Sequence, residues 1–196
     1  MIVKDKIDDL LYQVSKPERY IGNEWNQIVK DWSANKTKVV FSFPDVYEIG
    51  MSHLGLKLLY HKLNQEQNIL CERAFAPWPD LEELLREKDI SLFSLETKHE
   101  LKDFDIIGFT LQYEMSYTNI INMLDLAGIP IDSQKRNEDT PLVIAGGSTV
   151  FNPEPLASFI DVFFIGEAET SIVNLVNTYQ KFVDKGWNRK KILKNL

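Results

Sequence analysis

Apolar positions along the chain follow two different periods. Ile7, Leu10, Leu11 and Val14 recur at the i, i+3, i+4, i+7 spacing of one helix face, and Pro17 stops the run. Trp25, Ile28, Val29 and Trp32 repeat helical spacing in a short polar stretch, which predicts a second short helix. From Lys38 the period changes. Residues 39–43 form an unbroken β-rich run halted by Pro44, the pattern of a strand buried on both faces in a parallel sheet. A polar loop with a glycine follows over 45–52, and then Leu56, Leu59, Tyr60 and Leu63 mark a helix.

The alternation continues to the end of the chain. Strands are predicted at 69–75, 106–111, 142–145 and 162–165, with a weaker one at 91–95. Helices are predicted from Pro79, whose Leu81, Leu84 and Leu85 face inward, and at 120–127, closed by Gly128 with Pro130 beyond. A long helix carries Ile172, Leu175, Val176, Tyr179 and Val183, and another begins at Trp187. Strand–helix alternation of this kind predicts an open parallel α/β sheet of about five strands with helices on both faces. The divisions expected are an N-terminal helical extension over 1–36, the α/β domain over 37–184, and a linker or helix beginning over 185–196. The final basic helix stops without a cap, so the chain is expected to be the front part of something longer.

Composition narrows the chemistry. The 196 residues include 22 Lys and Arg against 29 Asp and Glu, a net charge of −7. Nucleic acid is therefore not expected as a partner, since phosphate binding draws on clustered cations. No apolar run reaches the roughly 18–20 residues that span a bilayer. The N-terminus is too polar for a signal peptide, so no membrane association and a cytoplasmic location are expected. The single cysteine, Cys71, can form no internal disulfide and cannot by itself hold an iron–sulfur cluster.

In open α/β sheets ligands sit outside the carboxyl ends of the strands, so the loops there carry the candidate chemistry. The first reads Asp45-Val46-Tyr47-Glu48-Ile49-Gly50 and contains neither a dinucleotide nor a P-loop fingerprint. Asp45 can make a turn there, and Tyr47 can pack. The second carries Thr110 and Gln112; Thr110 is equally an ordinary β-branched strand residue. The third carries Gly146-Gly147, which lets a ligand approach the backbone or simply makes a turn. A receiver-like module is disfavoured, because the last strand ends on Gly166-Glu167 rather than on a lysine.

These strings resemble a known family. Gly146-Gly-Ser-Thr-Val-Phe-Asn-Pro-Glu154, followed by Asp161-Val-Phe-Phe-Ile-Gly166-Glu167-Ala-Glu169, is similar to the end of the cobalamin-binding domain in B12-dependent radical SAM proteins. Arg19-Tyr-Ile-Gly22, Phe43-Pro-Asp-Val-Tyr-Glu-Ile-Gly-Met-Ser52, Phe75-Ala-Pro-Trp-Pro79 and Gly108-Phe-Thr-Leu-Gln-Tyr-Glu114 resemble one uncharacterised subfamily, over about residues 17–190.

The resemblance implies a Rossmann-like, flavodoxin-like domain that holds cobalamin. A [4Fe–4S] cluster and S-adenosylmethionine would belong to a following radical SAM domain, which is the expected protein partner. It makes Asp45, Tyr47, Gly50, Thr110, Gln112, Gly146, Gly147 and Glu167 candidate cofactor contacts, with Thr110 reaching the nucleotide base and the glycine pair lying along the nucleotide tail. The family frame is D-x-H-x-x-G, with the His as lower cobalt ligand. Tyr47 stands at that position, and a phenol with pKa near 10 is a poor cobalt ligand at neutral pH. The corrinoid is thus expected with its own base displaced and no protein nitrogen on cobalt.

His53 could in principle substitute, or simply belong to a helix N-terminus; His61 and His99 read as surface residues. Glu167 and Glu169 could touch corrin amides or complement a helix N-terminus. Trp78, Tyr113 and Tyr117 could line the corrin edge or the core. The alternative is a degenerate domain that keeps the fold, binds no cofactor and serves as a docking module. No catalytic or metal-ligating residue is assigned.

Overall fold

The structure is a computed structural model, described here for residues 4–34 and 36–196, with the side chains of residues 4–6 outside the description. Helices α1 (Lys4–Leu11) and α2 (Glu18–Ile21) precede strand β1 (Thr37–Phe43), followed by α3 (Tyr47–Ser52), α4 (Leu54–Gln65) and β2 (Ile69–Phe75). Then come α5 (Pro79–Glu87), β3 (Ile106–Thr110), α6 (Tyr117–Leu126), β4 (Leu142–Gly146), β5 (Val162–Phe164), α7 (Ala168–Asp184) and α8 (Arg189–Leu193). The five strands form one sheet in the order β2-β1-β3-β4-β5, with every pairing parallel. This is the flavodoxin-like order, in which the chain reverses direction across the sheet between β1 and β3.

Both faces of the sheet are covered. Val39, Phe41, Ile106, Leu142 and Ile144 pack under Leu56, Tyr60 and Leu63 of α4 and Ile172 and Val176 of α7. Val40, Leu70, Ile107, Phe109 and Val143 face the other way, under α1, α5 and α6. Alternate residues of one strand thus enter different cores, which explains the apolar runs of β1, β3 and β4. Strand β2 departs from this with buried Glu72 and Arg73, the latter paired with Glu96 at 2.6 Å.

Four sequence expectations are corrected. The loop over 45–52 contains helix α3. The segment 91–95 forms no strand; only an antiparallel bridge joins Phe93 to Glu100. The helix expected over 25–32 is irregular chain. Its backbone groups are drawn to side chains: Tyr60 Oη accepts from the N–H of Ile28 (2.7 Å) and donates to its carbonyl (3.2 Å). Lys30 Nζ donates to the Glu66 and Ile69 carbonyls at 2.6 and 2.5 Å. Trp32 stacks on His99, with ring centroids 3.5 Å apart. His99 is therefore a buried residue. Tertiary contacts outweigh the weak propensity of a short polar helix here.

The motif residue Asp161 sits at the opposite end of the sheet from the strand-end loops. Its Oδ2 accepts from Arg136 Nη1 (3.0 Å), Arg189 Nη2 (2.6 Å) and the Val143 N–H (2.8 Å). Arg189 opens α8, so Asp161 anchors that helix to the sheet.

Candidate functional site at the carboxyl ends of the strands

A groove of about 220 Å³ opens between α4 and α7 over the carboxyl ends of β1, β3, β4 and β5. Its floor comes from Gly108, Phe109 and Thr110 of β3 and Ile144, Ala145 and Gly146 of β4. Phe109 and Ala145 belong to the core on the other face of the sheet, as the two-residue period requires. One wall comes from His53, Gly55 and Leu59, the other from Glu167, Ala168, Glu169 and Ile172. Two floor positions lack side chains. At Gly108 a Cβ would stand 2.8 Å from the Phe41 ring, and at Gly146 it would stand 3.3 Å from the Phe164 carbonyl oxygen.

Thr110 is 8% exposed, and its hydroxyl has no hydrogen-bond partner among the described residues. Leaving a buried hydroxyl unpaired costs about 1–3 kcal/mol, so each instance asks for an explanation. The other polar side chains of the lining are those of His53, Gln112, Glu167 and Glu169. The described lining includes two carboxylates and neither lysine nor arginine. Glu167 is also the N-cap residue of α7, with no side-chain cap bond, and Glu169 lies in the first turn. Carboxylates there complement the exposed N–H groups of the helix.

The structure therefore brings Thr110, Gln112, Gly146, Gly147 and Glu167 together in one groove. Asp45, Tyr47 and Gly50 lie off it. Tyr47 opens α3, turns its ring edge-on to Phe75 (5.6 Å) and donates its hydroxyl to Glu24 Oε1 at 2.5 Å. Burial and the bond to Glu24 push its phenol up to about 12. Asp45 Oδ1 accepts from the Val46 N–H (2.7 Å), and its Oδ2 accepts from the Tyr113 hydroxyl (3.0 Å). Gly50 is where α3 meets Phe75; a Cβ would stand 2.3 Å from that ring. The first-loop frame thus seats a helix.

Gly147 lines the groove but has its own reason to be glycine. Its φ is 132°, and a Cβ would stand 2.5 Å from the Leu111 carbonyl oxygen. Trp78, Tyr113 and Tyr117 are not among the lining residues. Tyr117 is core, Tyr113 bonds Asp45, and Arg19 lies over the Trp78 ring at 4.8 Å.

Gly55, Leu59, Gly108 and Gly166 also line the groove and are not among the candidate contacts that the sequence suggests. Gly108 was accessible to it, because a two-residue step back from Thr110 marks the next position on the same face. Among the described residues no cluster of three or more His, Cys, Asp or Glu could hold a metal. Cys71 is buried, and burial pushes its thiol well up.

The family model described as "Radical SAM proteins, N-terminal" matches residues 55–196. The chain belongs to the radical SAM N-terminal family. An uncharacterized protein of Methanocaldococcus jannaschii is 29% identical to it over 149 residues, 76% of this chain and 28% of that protein. The chain thus spans little more than a quarter of the length of the curated relative it matches. In this radical SAM N-terminal domain, the groove floor from β3 and β4 and the α7 wall lie inside the matched residues, whereas Asp45, Tyr47 and Gly50 precede them. No described helix is long and apolar enough to cross a membrane.

Proposed function

We propose that this radical SAM N-terminal domain holds a corrinoid by its nucleotide arm, with the nucleotide base in the groove between α4 and α7. The observation that carries the reading is the Thr110 hydroxyl, buried at the groove floor without a protein partner. A heterocyclic nitrogen is the kind of acceptor that would satisfy it. Size supports the reading: an apolar cavity of about 150 Å³ takes a benzene ring, so about 220 Å³ has room for a fused bicyclic base. Charge supports it too, because a groove with two carboxylates and no described cation suits an uncharged base rather than a phosphate.

Tyr47 is engaged with Glu24, and its phenol is held well above neutral pH, so it supplies no cobalt ligand. The expected corrinoid is base-off and carries no histidine on cobalt. When bound, it would supply methyl transfer or tune radical chemistry together with a following iron–sulfur and S-adenosylmethionine domain. Ile49, Leu54, Met115, Phe151 and Ile165 are exposed on segments that follow the strand ends. That apolar rim is the face on which such a domain would rest.

The second reading is a docking module without cofactor. It is favoured by the internal bonds of Asp45 and Tyr47, which engage the two side chains of the first loop that the family frame would turn toward a corrinoid. The test is to mix the chain with hydroxocobalamin, desalt it and record the visible spectrum. Retained corrin absorbance with base-off bands is expected. A colourless protein across hydroxo-, methyl- and cyanocobalamin contradicts the corrinoid reading and leaves the docking one.

A further inference from the structure

The ring of His53 carries an inference about the ligand. His53 sits between α3 and α4 and caps α4 through its ring: Nδ1 accepts from the Leu56 N–H at 3.1 Å. A ring nitrogen that accepts carries no proton, so in the neutral ring the proton is on Nε2. Nε2 has no partner among the described residues, and His53 is one of the residues that line the groove. Gly55 makes room for it; a Cβ there would stand 3.0 Å from His53 Cε1.

We infer that His53 is a specificity-determining donor for the nucleotide arm of the ligand, its Nε2–H bonding a ring nitrogen or ribose oxygen, and that it is not a cobalt ligand. This rests on the corrinoid reading above. The same helix cap that fixes the tautomer removes the lone pair that coordination would need. The groove then opposes two hydroxyl- or imidazole-type donors, Thr110 on the floor and His53 on the wall, to a base with acceptors at its edge.

The test compares the wild-type chain with His53→Asn by isothermal titration with cobalamin and with cobinamide, which has the corrin ring but no nucleotide. Asparagine is an effective N-cap, so the urea midpoint is expected to hold while the donor is withdrawn from the groove. Cobalamin affinity is expected to fall about fivefold to tenfold, the scale of one neutral hydrogen bond, with cobinamide affinity unchanged. Gly55→Ala, whose Cβ would stand 3.0 Å from Cε1 and 3.4 Å from the cap-accepting Nδ1 of His53, crowds the ring and is expected to weaken cobalamin in the same direction, with its urea midpoint read alongside to register any loss of the cap. Equal cobalamin affinity in both variants overturns the inference alone. So does an equal loss for both ligands, or a nitrogen-ligated cobalt spectrum that His53→Asn abolishes. Failure of the wild-type chain to bind cobalamin at all instead overturns the corrinoid reading itself.

Discussion

At Thr110, replacing the hydroxyl by a methyl group removes an unpaired polar atom from a site that is 8% exposed. Thr110→Val is therefore expected to raise the unfolding free energy of the ligand-free chain by about 1 kcal/mol while weakening cobalamin retention. Urea titration and desalting measure the two effects, and a clear loss of stability would mean that the hydroxyl has a structural partner. His99 has the opposite character. Burial, aided by the Lys38 charge, holds its imidazole down at about 4. In the unfolded chain it titrates near 6.5. Between those values the unfolded state binds the proton and the folded state does not, so stability falls as pH drops from about 6.5 to about 4 and levels off below. Thr97 donates its hydroxyl to Glu72 (2.6 Å), so the 2.6 Å contact from His99 Nδ1 is an N–H donated to Thr97. His99→Phe keeps the stacking on Trp32, and its unfolding midpoint is expected to depend less on pH across that window. Identical pH profiles would contradict this. Residue by residue, the sequence could name Thr110 but not its missing partner. It read His99 as surface, because the ring that covers it comes from Trp32, distant in sequence.

At the scale of elements, β1, β3 and β4 were legible because burial on both faces writes itself as an apolar run, and β2 was legible from its apolar ends despite Glu72 and Arg73 at its centre. β2 coincides with its expected span, and β1, β3, β4 and β5 differ from theirs by at most two residues at an end. Helix α3 was not legible. Its pattern, Tyr47-Glu48-Ile49-Gly50-Met51-Ser52, is short and contains a glycine. What specifies it is the flat contact of Gly50 on Phe75, a residue of β2. Gly50→Ala is expected to cost about 1–3 kcal/mol by overpacking that contact. The added Phe75→Leu change is expected to recover part of it, a coupling that a double-mutant cycle in urea reads. Additive costs would separate the glycine from Phe75. Asp161 is the element-scale counterpart at the far end of the sheet. Asp161→Ala would leave the Arg136 guanidinium, fully buried, and that of Arg189 without their carboxylate. A loss of about 3–5 kcal/mol is expected by urea unfolding; less than 1 kcal/mol would contradict its anchoring role. The motif around Asp161 was visible in the sequence, but its role there as the anchor of α8 was not.

At the scale of the molecule, the sheet order follows from strand–helix alternation and the right-handed crossover rule only as one of a few options. The structure selects β2-β1-β3-β4-β5. That order puts β3 and β4 side by side, so Gly108, Thr110 and Gly146 become neighbours and the groove exists. β1 pairs with β3, so Asp45, Tyr47 and Gly50 lie off the groove for a local reason: Gly50 packs on Phe75, Tyr47 bonds Glu24 and Asp45 bonds Tyr113. The most direct test is a two-dimensional NMR titration of the isotopically labelled 196-residue chain with cobalamin. The amides of Gly108, Thr110, Gly146 and Gly166 are expected to shift together and to saturate. Those of Tyr47 and of the far groove around Arg86, Glu100 and Gly128 should stay in place. Saturable shifts at the far groove with none at Thr110, or no shifts anywhere, would contradict a nucleotide-arm site between α4 and α7.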